Sequence, residues 1–303
     1  MKRWLKRIGF GILTVVLVLA VGVGIYAKTQ SSAFDESMDK VYDVPVPTNI
    51  VRSTDPAVIA RGKHLAESAA ACATGDCHGS DLAGGRTIPI GPLGTITAPN
   101  LSLLAPTYSD GELARLMRHG IKKDGRSVRL MPSQDVNWMP DSDLVAIVSW
   151  IRTMPTVDKP NGPLEIKTLG KVMDRKDAIP LDVARRIKHD NIEIAGAPEP
   201  TAAYGKFLGR MCQGCHGEHL SGGPIPGTPS DFPVPLNLTP DDSGMKGWSY
   251  DDFDKLLTTG IRKNGKPLDK FMPFEALAKL DETEKHALFA YLQSLPPVKF
   301  GNR

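Results

Sequence analysis

The chain has 303 residues, 41% of them apolar and 23% charged, with only 6% aromatic. That balance excludes wholesale disorder and collagen-like repeats, and the length allows two or three compact units. The formal charge of +3 misleads: Lys2, Arg3, Lys6 and Arg7 precede every acidic residue, and the remainder carries 33 basic and 34 acidic side chains, no argument for nucleic-acid binding.

Ile8 to Ala27 form an uncharged run rich in Val, Leu, Ile and Gly. As a helix of 20 residues at ~1.5 Å each it is about 30 Å long, the thickness of a bilayer core. The basic residues before it place Met1 in the cytoplasm and Lys28 onward outside. A cleaved signal peptide is the alternative. Against it, the run exceeds the ~7–15 apolar residues of such peptides, and Gly24-Ile25-Tyr26-Ala27 is a poor small-x-small cleavage site. Residues 1–27 therefore read as a basic tip and membrane anchor, and residues 28–50, rich in Pro, Ser and acid, as a tether.

In an exported protein the first reading of four cysteines is two disulfides. Cys212-Gln213-Gly214-Cys215-His216 instead has the C-x-x-C-H pattern of c-type haem attachment. Two thiols so spaced add to the vinyl groups of one porphyrin, and the histidine is held beneath the iron as proximal ligand. A structural zinc site would need a second Cys/His pair close by in sequence, and there is none. Cys72-Ala73-Thr74-Gly75-Asp76-Cys77-His78 has four intervening residues. Taken alone, it divides evenly between haem and a local disulfide.

An internal repeat decides the matter. Placing His78 on His216 sets Asp81-Leu82-Ala83-Gly84-Gly85 on His219-Leu220-Ser221-Gly222-Gly223. Arg61-Gly62-Lys63 meets Tyr204-Gly205-Lys206 upstream, and Asn100-Leu101-Ser102 meets Asn237-Leu238-Thr239 downstream. Tyr108-Ser109 then falls on Trp248-Ser249, Gly120-Ile121 on Gly260-Ile261, Met131-Pro132 on Met272-Pro273 and Trp150-Ile151 on Tyr291-Leu292. Each copy predicts a short Gly-bearing helix before the cysteines, then a helix from Ser109 or Ser249. A Met-Pro loop follows, and then a last helix with apolar residues at helical spacing, Ile147, Val148 and Ile151 or Leu288, Phe289 and Leu292. Asp141 and Asp281 are the expected caps of the last helices, and Pro155 and Pro296 follow their ends.

A six-coordinate haem needs a second axial ligand, and the repeated Met-Pro motifs supply Met131 and Met272. Thioether sulfur raises the reduction potential of a His-ligated haem. A lone Met is more often core filler, but this one recurs in both copies with a stiffening Pro behind it. Met139-Pro140 and Met154-Pro155 align with Leu280 and Leu295 and are expected in apolar positions. His64, His119, His189, His219 and His286 align with no histidine and read as surface or packed residues; His64 and His219 would be the next suspects as ligands.

With these motifs in this order, the chain resembles membrane-anchored dihaem class I cytochromes c. It is also similar to the cytochrome c subunits of periplasmic alcohol and aldehyde dehydrogenases, which usually carry three haem domains where this chain has two. The resemblance implies an all-α fold: an N-terminal transmembrane helix followed by two tandem cytochrome c domains at 51–155 and 199–299, joined by a connector at 156–198. It implies two covalent haem c groups with their iron, held by Cys72, Cys77, His78 and Met131 and by Cys212, Cys215, His216 and Met272. The first and last helices are expected to cross near Gly62 and Gly205, and Asn100, Asn237, Tyr108 and Trp248 to line the propionate side. Two porphyrins in the cores would explain the scarcity of aromatic residues.

The implied function is electron transfer at a bacterial inner membrane, single-pass with the N-terminus cytoplasmic and the haem domains periplasmic. The partners are periplasmic donor and acceptor proteins, among them a dehydrogenase subunit. A dihaem enzyme of peroxidase or thiosulfate dehydrogenase type is the alternative and would need an open haem. Arg115, Arg118, Lys122, Lys123, Arg126 and Arg129 crowd the approach to Met131, as Arg262, Lys263, Lys266 and Lys270 do before Met272. They read equally as a rim that steers an acidic partner or as ordinary solvated charge. The connector is expected to wrap across the domain faces, with a helix-like stretch from Leu181 to Lys188.

Overall fold

A computed structural model describes residues 2–226, 228 and 231–303. Helix α1 (Lys2–Asp39) does not end where the apolar run ends. No Gly or Pro lies between Lys28 and Asp39, so nothing breaks it over that stretch. Up to Tyr26 its described side chains are exposed; beyond that Phe34 and Met38 are buried. The segment expected to be a free tether is thus half helix, and its remainder is strapped to the protein. Val41 bridges Arg126, the Val44 carbonyl accepts from the Arg115 guanidinium, and Ile50 enters the main core.

The first repeat copy begins with α2 (Pro56–Glu67), which Asp55 caps by accepting the Ala57 N–H. Two short strands follow, β1 (Ile88–Pro89) and β2 (Gly94–Ile96), then the helices α3 (Leu101–Leu104) and α4 (Asp110–His119). Ser109 and Glu112 close a reciprocal capping box on α4, and Gly120 ends it in the left-handed conformation. After the Met-Pro loop come α5 (Ser133–Val136) and α6 (Asp141–Thr153). Asp141 does not cap α6 as expected. Pro140 occupies the cap position, and the Asp141 carboxylate instead accepts from Asn49 and Arg118.

The connector supplies β3 (Glu165–Ile166), which pairs antiparallel with β2 to complete a three-stranded sheet in the order β1-β2-β3. The fold is therefore mostly helical rather than all-α. The sheet clasps the connector to the first copy. Helix α7 (Thr168–Arg175) comes next, while the predicted helix from Leu181 to Lys188 is only a single tight turn at Ala184–Arg186. The second copy holds α8 (Ala202–Leu208), α9 (Arg210–His216), α10 (Tyr250–Thr259), α11 (Phe274–Leu277) and α12 (Glu282–Ser294). Here Asp281 caps α12 in a full capping box with Glu284.

Two helix crossings frame the core, α2 on α6 and α8 on α12. At the first, a Cβ on Gly62 would lie 1.9 Å from the Ala146 carbonyl oxygen; at the second, a Cβ on Gly205 would lie 1.9 Å from that of Ala287. Backbone rests on backbone, and any side chain must push the helices apart.

The two copies meet through equivalent surfaces. Trp138 of the first packs on Tyr204 and Phe207 of the second, at ring-centroid distances of 6.0 and 5.6 Å. Residue 279, its counterpart, is Lys279, which reaches back to Glu67 at 3.3 Å. In the seam, Glu284 is fully buried between Arg61 at 3.2 Å and His64 at 2.8 Å, and Asp143 lies 3.4 Å from the same Arg61. The Glu284 bond holds the His64 imidazole above its ordinary pKa of 6.5. Burial pushes the Glu284 carboxyl up, but the His64 bond and the Arg61 charge outweigh it and leave it below 4.5. A carboxylate buried this way is costly to orphan, because its partners alone compensate the lost hydration.

Two outcomes follow from this packing. Gly62→Ala or Gly205→Ala will each cost about 3 kcal/mol in urea unfolding, the upper range for overpacking against backbone. Glu284→Gln will cost about 3 kcal/mol, the low end for breaking a buried pair whose partners are a quarter exposed. The His64 contribution is complete below pH 6.5 and is lost as pH rises through its raised pKa. That of Glu284 is complete above pH 4.5 and is lost as pH falls through its lowered pKa. The stability gap between wild type and variant should therefore be widest between pH 4.5 and 6.5.

Candidate functional site

In the second copy the cysteines sit on α9, with His216 its buried last residue. The His216 Nδ1 lies 2.7 Å from the Leu236 carbonyl oxygen. In the first copy the two extra residues prevent a helix, and Cys72 to His78 run through successive turns with Ala71 at φ +50°. The insertion is clipped from outside: Arg86 donates its N–H to the Gly75 carbonyl at 2.9 Å and pairs its side chain with Asp76.

Register returns at the histidine. His78 Nδ1 lies 2.9 Å from the Pro99 carbonyl oxygen, the equivalent of Leu236. The Gly84 N–H donates to the His78 carbonyl at 2.9 Å, as Gly222 does to that of His216 at 2.9 Å. Leu82 and Leu220, both buried, share the strained left-handed conformation at φ +57° and +56°. The extra residues are absorbed entirely before His78.

A backbone carbonyl can only accept, so Nδ1 carries the proton in both rings and Nε2 keeps its lone pair. Burial lowers the pKa of both imidazoles and keeps them neutral. All four cysteines are free thiols, and burial pushes Cys72 and Cys212 up to about 12. Such thiols are protonated and poor metal ligands by themselves. A pair of thiols followed by a neutral imidazole with a fixed tautomer suits covalent porphyrin attachment with nitrogen ligation of its iron.

Met131 and Met272 are half-buried against the main core. Their loops have one geometry: Pro132 and Pro273 sit at φ −79° and −74° with ψ 59° in each. The residue after each Pro donates to the Met carbonyl at 2.7 Å. Their supports differ. Leu130, at φ +61°, donates to the Leu181 carbonyl of the connector, whereas Met272 closes a turn on Asp269 of its own loop. Met139 is buried in the core and Met154 packs against it, as expected.

Of the remaining histidines, His64 is engaged in the seam and His219 is exposed. His286 stacks on Tyr250 at 3.6 Å. His119 and His189 face each other, Nδ1 to Nδ1 at 3.2 Å, and burial followed by the His189 charge drives His119 down to about 4. Asn100 and Asn237 do not present free amides to a ligand. Asn100 donates to the Val157 and Lys159 carbonyls, both at 2.9 Å, and Asn237 donates to that of Val298 at 2.7 Å. Each thus ties the chain leaving the last helix to the loop that orients the histidine.

The basic rim is largely engaged as well. Arg115 is buried and donates to three backbone carbonyls, Arg118 and Lys122 pair with Asp141 and Asp124, and Lys263 pairs with Asp252. Sequence reading missed Asp135, on α5, which packs against α9 of the other copy. Its carboxyl is pushed up to about 7 by burial, against the pull of Arg210, and it acts electrostatically on Cys212. No sequence signal marked it, because its neighbours come from 75 residues downstream.

Comparison with known proteins agrees with this chemistry. Residues 197–292 match the family described as cytochrome c oxidase, cbb3-type, subunit III. The chain is 27% identical over 287 residues to the alcohol dehydrogenase (quinone) cytochrome c subunit of Gluconacetobacter polyoxogenes, covering 80% of this chain and 57% of that one. It is 35% identical over 107 residues to the gluconate 2-dehydrogenase cytochrome c subunit of Pantoea cypripedii, covering 33% and 24%. Over 108 residues it is 30% identical to the fructose dehydrogenase cytochrome subunit of Gluconobacter japonicus, covering 33% and 22%. The chain thus spans between about a quarter and just over half the length of these relatives. The likeness to cytochromes c implies haem c and iron as the cofactor.

If Asn100 and Asn237 serve the backbone, Asn100→Ala and Asn237→Ala will each lower stability by about 2 kcal/mol, the cost of leaving buried carbonyls unpaired. Urea midpoints of the purified variants check this. A loss of haem affinity without a loss of stability would contradict it.

Proposed function

We propose that the chain is a membrane-anchored dihaem electron carrier with two tandem cytochrome c domains, at 51–155 and 199–299. Haem would be held by Cys72, Cys77, His78 and Met131 in the first domain and by Cys212, Cys215, His216 and Met272 in the second. When bound, the haem iron supplies a one-electron ferric/ferrous couple, whose potential a thioether ligand raises. One observation carries this reading: two cysteine-histidine segments of unequal length end on the same histidine geometry. In both, Nδ1–H is fixed on the carbonyl before a buried Asn, and Nε2 keeps its lone pair for a metal.

The chain's own residues do the rest. The imidazoles stay neutral and oriented, so no proton competes for Nε2. Pro132 and Pro273 stiffen the loops that present the thioethers. A continuous apolar core runs through both copies. Helix α5, just after Met131, packs on α9, which carries Cys212 to His216, and this supports a short internal path for electrons.

The membrane reading rests on α1, whose described side chains from Arg3 to Ile25 are exposed and mostly apolar beyond Arg7. The haem domains would then stand in the periplasm of a bacterial inner membrane, with the N-terminus cytoplasmic. The relatives' names point to a dehydrogenase as donor, and electrons would leave towards the respiratory chain.

The purified protein should carry two covalent haems, both low-spin in the ferric state, with the weak red-edge band of Met–iron coordination. Met131→Ala and Met272→Ala should each remove about half of that band. Cys215→Ser should weaken covalent retention of one haem. A high-spin haem in the wild-type protein would favour the alternative, a dihaem enzyme.

A further inference from the structure

The packing of α7 on α1 starts at the height where the apolar run stops. Along α1, burial begins at Ala27 and recurs at Gln30, Ser31, Phe34 and Met38, one stripe at helical spacing. Helix α7 runs antiparallel along that stripe. Lys171 pairs with Asp35 at 2.7 Å and lies 5.9 Å from the Phe34 ring, while Lys176, just past the helix, lies 5.4 Å from the Tyr26 ring. The C-terminal end of α7 therefore points at the bilayer. Lys176 stands level with the last residues of the span, where a tyrosine marks the headgroup layer.

Charge is distributed unevenly along this contact. Asp35 is taken by Lys171, and Asp174 and Asp177 are taken by Arg185 and Arg186. That leaves Lys28, Arg175 and Lys176, all at the membrane end, without a salt bridge among the described residues, although the Arg175 charge also acts on the Asp177 carboxyl beside it. Asp182, also buried here, accepts from Ser37 and lies 3.9 Å from Arg185. The foot is thus braced from above by ion pairs and presents Lys28, Arg175 and Lys176 below.

We infer that the end of α7 and the turn Lys176–Ile179 form a foot on the membrane, in which Lys28, Arg175 and Lys176 hold the phosphates of anionic phospholipids. The inference rests on the anchor reading of α1. It adds that the connector, and with it the first repeat copy, stands at a fixed height and tilt rather than swinging on a tether. The Met131 loop shares this brace, because Leu130 is bonded to Leu181 of the same segment.

Hydrogen–deuterium exchange of the full chain in nanodiscs tests it, with phosphatidylcholine alone compared with discs containing phosphatidylglycerol. Exchange over residues 172–180 should slow by roughly fivefold for each basic contact made to the anionic surface. Inorganic phosphate added to phosphatidylcholine discs should not reproduce the effect. The double change Arg175→Glu and Lys176→Glu should abolish it, with exchange in α2 and α6 unchanged as the check on folding. Equal exchange of the wild-type chain in both discs would overturn the foot and leave the anchor standing. Failure of the chain to enter either disc would overturn the anchor, and the foot with it.

Discussion

At two places in this protein a glycine lets one helix rest directly on the carbonyl of another, and the rest of the architecture depends on those contacts. Gly62 on Ala146 and Gly205 on Ala287 bring the first and last helices of each copy within backbone distance. Everything between them must then arch out and return. The cysteine-histidine segment leaves one end of that arch, and the Met-Pro loop approaches from the other. A side chain at either glycine would separate the arms that carry the cysteine-histidine segment and the Met-Pro loop.

The same geometry explains how an irregular attachment segment can coexist with a regular one. Cys72 to His78 cannot form the short helix that Cys212 to His216 form. Yet His78 and His216 end in the same place, because each is fixed from beyond the motif by a carbonyl just before a buried Asn. Those asparagines are held in turn by the chain that leaves the last helix. The orientation of each imidazole is thus set by the end of each copy rather than by its cysteines. The insertion changes the path between the thiols and leaves the imidazole alone.

Charge serves assembly more than recognition. The basic residues before Met131 look in sequence like a docking rim, but Arg115 and Arg118 are consumed by carbonyls and by Asp141. The seam between copies buries Glu284 against Arg61 and His64, residues that align with neither a carboxylate nor a cation in the partner copy's first helix. The duplicated surfaces have diverged into complementary ones. Lys176 of the connector lies instead beside Tyr26, at the end of the apolar run.

Much of this was legible in the sequence because it is local or repeated. The candidate anchor needs only twenty uncharged residues, the helix starts need only Ser109 and Ser249, and the eight candidate haem residues follow from spacing and from duplication. The structure has the helices that start after Ser109 and Ser249 and orients His78 and His216 alike. What sequence could not supply were relations between distant segments, where no period or motif constrains the pairing. Asp141 lost its cap to a proline and found Arg118 instead. The tether became a helix because its neighbours offered Phe34 and Met38 a place to bury. His64, a mere suspect in sequence, became half of a buried ion pair 220 residues long in chain separation. Sequence determined the cysteine-histidine and Met-Pro motifs and their order, since those depend on side-chain chemistry and short spacing. Only the tertiary structure decided which charges are spent, how the copies face each other and how the connector packs on α1, since each of those depends on which surfaces exclude water together.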